Sequence, residues 1–253
     1  MRIRIRFTHL GKVRFTSHRD LARIWERVLR RAELPVARSE GFSPRPKLHF
    51  GLALSTGHES LAEYLDVDLV EGTEVDLTTL PERLTDVLPR GLAVTAVGPV
   101  APGTPSLQHA VIASRWEIEV LGLDLPTLSA RVEALLAAPD LVVTRQRKGK
   151  DVTDDVRPHL LHLQPLATPD GGVLLVAELA AKDRGLRPSE LITLLGDDAA
   201  EGLVRRTHQF TEHDGTRTEP LVPGDLAAAT SAAGDLAPRV GAPSAPHAEA
   251  RAS

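Results

Sequence analysis

Arginine recurs at three- and four-residue intervals from Arg19 through Arg23 and Arg27 to Arg30 and Arg31. On a helix this spacing stacks the guanidinium groups along one face. Like charges so placed repel by roughly a few tenths of a kcal/mol per pair, so folding alone does not favour them. Only Glu26 to Arg30 forms an evident compensating pair. The chemistry suited to such a face is the tracking of phosphates along a nucleic-acid backbone. An ordinary solvated face is the competing explanation, because Arg outnumbers Lys by 25 to 5 in this chain.

The basic stripe continues into the run Ser39-Glu40-Gly41-Phe42-Ser43-Pro44-Arg45-Pro46-Lys47. Two prolines around Arg45 restrict its backbone, and Gly41 permits a positive φ or a close backbone approach. Arg45 and Lys47 would act as phosphate donors. An exposed Phe42 would add a stacking ring suited to single-stranded or looped RNA, although a plug for the core is the simpler role for that ring taken alone. Residues 1–50 hold thirteen Lys and Arg against four Asp and Glu, a surplus of nine, while the whole chain carries −4. The other 203 residues therefore carry −13. A mildly acidic chain with one strongly basic block aims a positive surface at an anionic partner.

A second basic group, Arg145, Arg147, Lys148 and Lys150, surrounds Gly149 and precedes Asp151, Asp154 and Asp155. Such a flanked loop tip is commonly just solvated; Lys148 and Lys150 are its candidate RNA contacts. His18 and His49 are the candidates for acid and base in RNA cleavage, since imidazole titrates near neutrality. Nothing in their spacing shows that they meet. His159 and His162 fall in a predicted strand without a third ligand, so no metal site is expected. His18-Arg19-Asp20 copies the kinase catalytic-loop letters, but no Gly-rich loop or following Asn supports that reading. The chain has no cysteine, which removes disulfides, thiolate nucleophiles and iron–sulfur clusters of its own. No cofactor is implied, no segment reads as a membrane span or signal peptide, and a cytoplasmic protein is expected.

The elements that must carry these residues follow from periodicity. Arg2 to Thr8 alternates about Ile3, Ile5 and Phe7, a half-buried strand. Ser17 reads as a helix N-cap with Asp20 at the third helical position. Leu21, Ile24, Trp25, Val28, Leu29 and Ala32 then form one apolar stripe that ends at Leu34-Pro35. Strands over 48–54, 64–69 and 92–100 and a helix over 76–87 complete a β-α-β-β-α-β order, the ferredoxin-like unit. In that arrangement Arg2, Arg4 and Arg6 face Asp66 and Asp68 on the side away from the helices, neutralised in place. That sheet offers only Tyr64 for stacking, so the binding face is expected on the helix and loops.

A Pro/Gly-rich linker follows, and the pattern partly repeats, with strands over 115–122, 141–145, 156–164, 172–180 and 202–211 and helices over 125–137 and after Pro188. The expected fold class is α+β, with two ferredoxin-like halves on antiparallel sheets over residues 1–100 and 111–215. Residues 101–110 are the linker. Residues 216–253, rich in Ala, Pro, Gly and Ser with few large apolar groups, are expected to be a disordered tail.

The runs Gly11-Lys12-Val13-Arg14-Phe15-Thr16-Ser17-His18-Arg19-Asp20, Gly41-Phe42-Ser43-Pro44-Arg45-Pro46-Lys47 and Ser60-Leu61-Ala62-Glu63-Tyr64 resemble a bacterial family, the radical-SAM-associated domain of unknown function. Lys148-Gly149-Lys150 with Asp154 to Pro158, and Gly185-Leu186-Arg187-Pro188, extend the resemblance over about residues 1–212. Family members more often show Leu where Arg19 stands, and Asn and His where Ser43 and Arg45 stand. The last exchange argues against an essential acid/base group there. The resemblance implies a partner: without cysteine this chain would act beside a radical-SAM protein that holds the cluster. The expected function is therefore an RNA-binding or substrate-docking accessory protein that presents tRNA or rRNA to a radical-SAM modification enzyme. The alternatives are a metal-independent endoribonuclease resembling the double-ferredoxin CRISPR RNA-processing proteins, using His18 or His49, and a protein-interaction adaptor.

Overall fold

The computed structural model describes residues 1–147, 149–182 and 185–222. Its first strand, β1 (Arg2–His9), turns Ile3, Ile5 and Phe7 into a core shared with the first helix, α1 (His18–Arg31). Ser17 caps α1 by accepting from the Asp20 N–H at 3.2 Å. Leu21, Trp25, Val28 and Leu29 are the buried stripe, and Trp25 meets Phe7 edge-on with ring centroids 4.9 Å apart. Such edge-to-face pairs add to what area burial alone contributes. The helix stops where Glu33 adopts φ 53° just before Leu34-Pro35, a conformation and a residue that α-helix cannot continue through.

The rest of the first quartet is β2 (Leu48–Phe50), β3 (Glu59–Asp68), α2 (Leu80–Thr85) and β4 (Leu92–Val100). Strands run β4-β1-β3-β2, all pairs antiparallel. β2 is shorter than the alternation predicted. After Gly51 N–H donates to the Tyr64 carbonyl at 3.0 Å, the chain leaves the sheet as a loop and rejoins it at Glu59. The predicted helix over 76–87 shrinks because Asp76 accepts from Thr78 N–H at 2.9 Å, a local turn that competes with helix.

The second quartet opens with α3 (Leu107–Ala110), β5 (Val111–Leu121) and α4 (Leu125–Ala137). A hairpin of β6 (Val142–Arg147) and β7 (Lys150–Asp155) stands apart as its own two-stranded sheet. Then come β8 (Leu160–Ala167), β9 (Val173–Ala180), α5 (Pro188–Leu195), β10 (Ala200–His213) and β11 (Thr216–Thr218). The strand order is β10-β5-β9-β8. The architecture is mixed α+β with a mostly antiparallel sheet. The expectation of separate sheets is corrected: β3 and β10 pair in parallel through Arg205↔Glu59 and Arg206↔Ser60, joining both quartets into one nine-stranded sheet. Residues 101–110 do more than link, since Leu107 of α3 packs with Ala62 and Tyr64.

On the face away from α1, Arg2 pairs with Asp68 at 2.6 Å and Arg4 with Asp66 at 2.7 Å, as the alternation required. Residues 216–222, expected within the disordered tail, are ordered against the sheet. β11 pairs with β10, and Glu219 to Leu221 lie back on the sheet: Tyr64 Oη donates to Glu219 at 3.3 Å, and Arg4 donates to the Pro220 carbonyl at 3.4 Å. Leu221 reaches Gly98, where an added Cβ would stand 2.8 Å from its Cδ1. The tail expectation for residues 223–253 lies outside the described residues. Among the described residues no helix is long and apolar enough to cross a membrane.

Candidate nucleic-acid interface

Helix α1 and the loop of 38–46 enclose an open concavity of about 500 Å³. Arg19, Arg23, Arg30, Arg38 and Arg45 line it, with Glu26 as the one carboxylate. The loop is held in place by short range bonds: Ser39 N–H donates to the Arg45 carbonyl at 2.8 Å, and Arg45 N–H donates to Ser39 Oγ at 3.0 Å. The two prolines stiffen the same turn. Its arginines thus face the helix from a restrained backbone, while their side chains stay exposed.

Only Arg23 of this group forms an ion pair among the described residues, with Asp20 at 3.1 Å, and Arg38 reaches the Pro44 carbonyl at 3.5 Å. The Glu26–Arg30 compensation read from spacing is not formed; Asp20–Arg23 takes its place. Asp20 sits below the usual carboxylate range, first because Ser17 donates to it and then because of Arg23. Arg27 is exposed on α1 but does not line the concavity, and Lys47 lines a different one with Arg2 and Asp68. Phe42 is fully exposed at the loop tip, so its reading as a core plug is corrected.

In the β6–β7 hairpin Arg145 lies 3.7 Å from Asp154 and Lys150 is exposed; Lys148 lies outside the described residues. His18 and His49 do not come together. His18 packs edge-on against Phe50, with centroids 5.0 Å apart, whereas His49 Nε2 lies 3.2 Å from Asp68 Oδ2. Phe50 and His49 are neighbours on β2 and so point to opposite faces. No group of three or more metal-ligating side chains occurs among the described residues.

What sequence reasoning missed is the polar seam where β3 meets β10. Arg206, 1% exposed, donates from Nε and Nη2 to Glu63 and from Nη2 to the Leu52 carbonyl. Its guanidinium also lies over the Trp116 ring, 5.3 Å from the centroid. Beside it, buried Glu59 accepts from Arg205 at 2.8 Å and from Gly11 N–H at 2.7 Å. Nothing local marks these charges as interior. The one available signal was two adjacent arginines inside a predicted strand, one of which had to face inward.

Burial acts to raise the Glu59 and Asp68 carboxyls. Hydrogen bonds from Arg205 and Gly11 to the first, and from Arg2 and His49 to the second, overcome it, and both sit below the carboxylate range. A carboxyl lowered by folding contributes stability that is complete above its unfolded value, about 4, and is lost as pH falls through the folded value. Thermal melts should therefore stay level from pH 7 to about 5 and fall below that. In Glu59→Gln the acid fall should be shallower. An identical fall in parent and variant would place the titrating groups elsewhere.

Fold and site together define a mixed α+β protein that carries a guanidinium-lined groove between its first helix and a proline-stiffened loop. The chain belongs to the family described as "Uncharacterized protein conserved in bacteria (DUF2344)", whose pattern matches residues 2–188. This is a bacterial family, as the N-terminal runs led us to expect. No curated protein matches the chain. Among solved structures it is similar to a chain of "Crystal Structure of a Cbf5-Nop10-Gar1 Complex", at 11% identity and a TM-score of 0.47. The match covers 82% of this chain and 48% of that one, so this chain spans about half its length. A likeness at that level carries no functional argument.

Proposed function

We propose that this chain is a cytoplasmic RNA-binding or substrate-docking accessory protein that holds an RNA strand in the α1 groove. The observation that carries this reading is five guanidinium groups around one concavity against a single carboxylate. Guanidinium forks match phosphate geometry, and exposed like charges held so close favour an anionic partner over water. The exposed ring of Phe42, on the loop that forms one side of the groove, suits unpaired bases more than a closed duplex. We read the two quartets, each with the strand order 4-1-3-2 of its own members, as a pair of ferredoxin-like units. The further assignment, that the RNA is presented to a radical-SAM enzyme in trans, rests on the sequence resemblance.

The test is titration of a fluorescent single-stranded RNA across a range of salt. Each phosphate neutralised on a single strand contributes a slope of about −0.7 in log affinity against log salt, so five contacts give roughly −3.5. A slope near zero, or equal competition by polyglutamate, would overturn the reading and favour the protein adaptor.

A further inference from the structure

Between the two quartets lies another concavity, of about 560 Å³, lined from the start of α1 by His18. His18 lines this cleft and the adjacent Arg19 lines the groove. Its volume falls within the ~300–1,000 Å³ typical of small-molecule sites. One wall is apolar, from Leu52, Leu54, Leu179 and Leu186. Trp116 also lines it, fixed by the Arg206 guanidinium over its ring and by His58 edge-on at 6.1 Å.

The polar side chains of the cleft are His18, Ser55, Thr56, Ser114, Arg187 and Arg206. Ser114 is 3% exposed, and its hydroxyl is buried without a hydrogen-bond partner among the described residues. A buried, unsatisfied hydroxyl in a native fold calls for an explanation, and a ligand that accepts from it is one. Arg206 spends Nε and Nη2 on Glu63 and Leu52, which leaves Nη1 with no described acceptor. Arg187, at the mouth, is exposed; its backbone N–H donates to Glu190 at 3.0 Å, while its guanidinium has no carboxylate partner among the described residues. No carboxylate lines the cleft among those residues either. An occupant must therefore offer an anion to the arginines, acceptors to the hydroxyls and a flat apolar group to the leucine and tryptophan wall.

We infer that this cleft takes one nucleotide, base and phosphate together, unstacked from the RNA strand that the α1 groove holds. The inference rests on the RNA-binding reading, and it adds a defined pocket to it. A strand leaving the groove past Arg19 meets the cleft at His18, one residue away. Arg187 and Arg206 Nη1 then hold the phosphate, Ser114 donates to the sugar or base edge, and the base lies along the leucine and Trp116 wall. Stacking and apolar burial of a single base tolerate any base identity, whereas the phosphate is required.

The chain contains two tryptophans, Trp25 in the core of the first quartet and Trp116 in the cleft, so 5-fluorotryptophan gives two fluorine resonances. Trp116→Phe assigns them. The full chain should be titrated with each ribonucleoside 5′-monophosphate, with the parent ribonucleosides and with inorganic phosphate. A monophosphate should move the Trp116 resonance saturably and leave that of Trp25 in place. Arg187→Ala, at an exposed position, should weaken that binding by about tenfold or more, and Ser114→Ala by about fivefold. No movement at millimolar monophosphate overturns the inference, as does a shift that Arg187→Ala leaves unchanged. Phosphate alone reproducing the whole shift would make this an anion site and also overturn it. RNA binding that leaves Trp116 unmoved would sink the cleft while sparing the groove; a monophosphate shift without strand binding would do the reverse.

Discussion

Replacing Arg23, Arg30 and Arg45 together by alanine should lower single-stranded RNA affinity about a hundredfold at roughly 0.1 M salt and leave the fold intact. The magnitude follows from counterion release: three lost contacts at about −0.7 each remove some two units from the salt slope, which is about two decades at that concentration. The three side chains are exposed and line the same concavity, so their loss removes no core packing. Stability should change little or rise slightly, because like charges on α1 are thinned. Only the Asp20–Arg23 pair at 3.1 Å is given up, and exposed pairs of that kind contribute little. Arg27→Ala with Arg31→Ala removes two charges from the same helix outside the groove lining and serves as the control. Anisotropy titrations at two salt concentrations compare them. Losses that scale simply with the charges removed, three in one variant and two in the other, would mean that only net charge matters and that the concavity binds nothing in particular.

The groove could be read from sequence because its parts are local. A 3.6-residue period fixes which side of α1 its arginines occupy, and two prolines fix a loop that must return beside it. Spacing could not say that Arg27 falls outside the lining or that Lys47 turns toward Arg2 and Asp68. Those depend on how the loop crosses the helix. Phe42 misled for the usual reason that a large ring is better buried than exposed. The seam was out of reach altogether. β3 and β10 lie about 145 residues apart, and their pairing leaves no period in either strand. Arg205, Arg206, Glu59 and Glu63 look like solvent residues until a second strand arrives to bury them. Glu219 and Leu221 hid in an alanine-rich stretch for the same reason, since their partners, Arg6, Tyr64 and Gly98, belong to the first hundred residues.

The same seam sets the largest stability effect expected in the molecule. Glu63 and Arg206 are 6% and 1% exposed and hydrogen-bonded to each other. Removing one partner of a buried pair typically costs about 3–5 kcal/mol, because the other charge stays in place without compensation. For a chain of this size that is a fall of roughly ten degrees in melting temperature. The two single variants should differ. In Arg206→Met the isolated Glu63 can take up a proton; its folded value rises above the unfolded one, so the deficit against the parent is full near neutrality and narrows as pH drops toward 5. In Glu63→Gln the guanidinium cannot shed its charge at any working pH, so that deficit should be larger and should not narrow. Replacing both, Glu63→Gln with Arg206→Met, should recover most of the loss, since a buried ion pair contributes little net stability over neutral groups of similar size. Melting temperatures of the four proteins at pH 7 and pH 5 complete the cycle. Single variants that melt with the parent would show that water reaches the pair and that the two quartets are held together by the apolar clusters on either side of it.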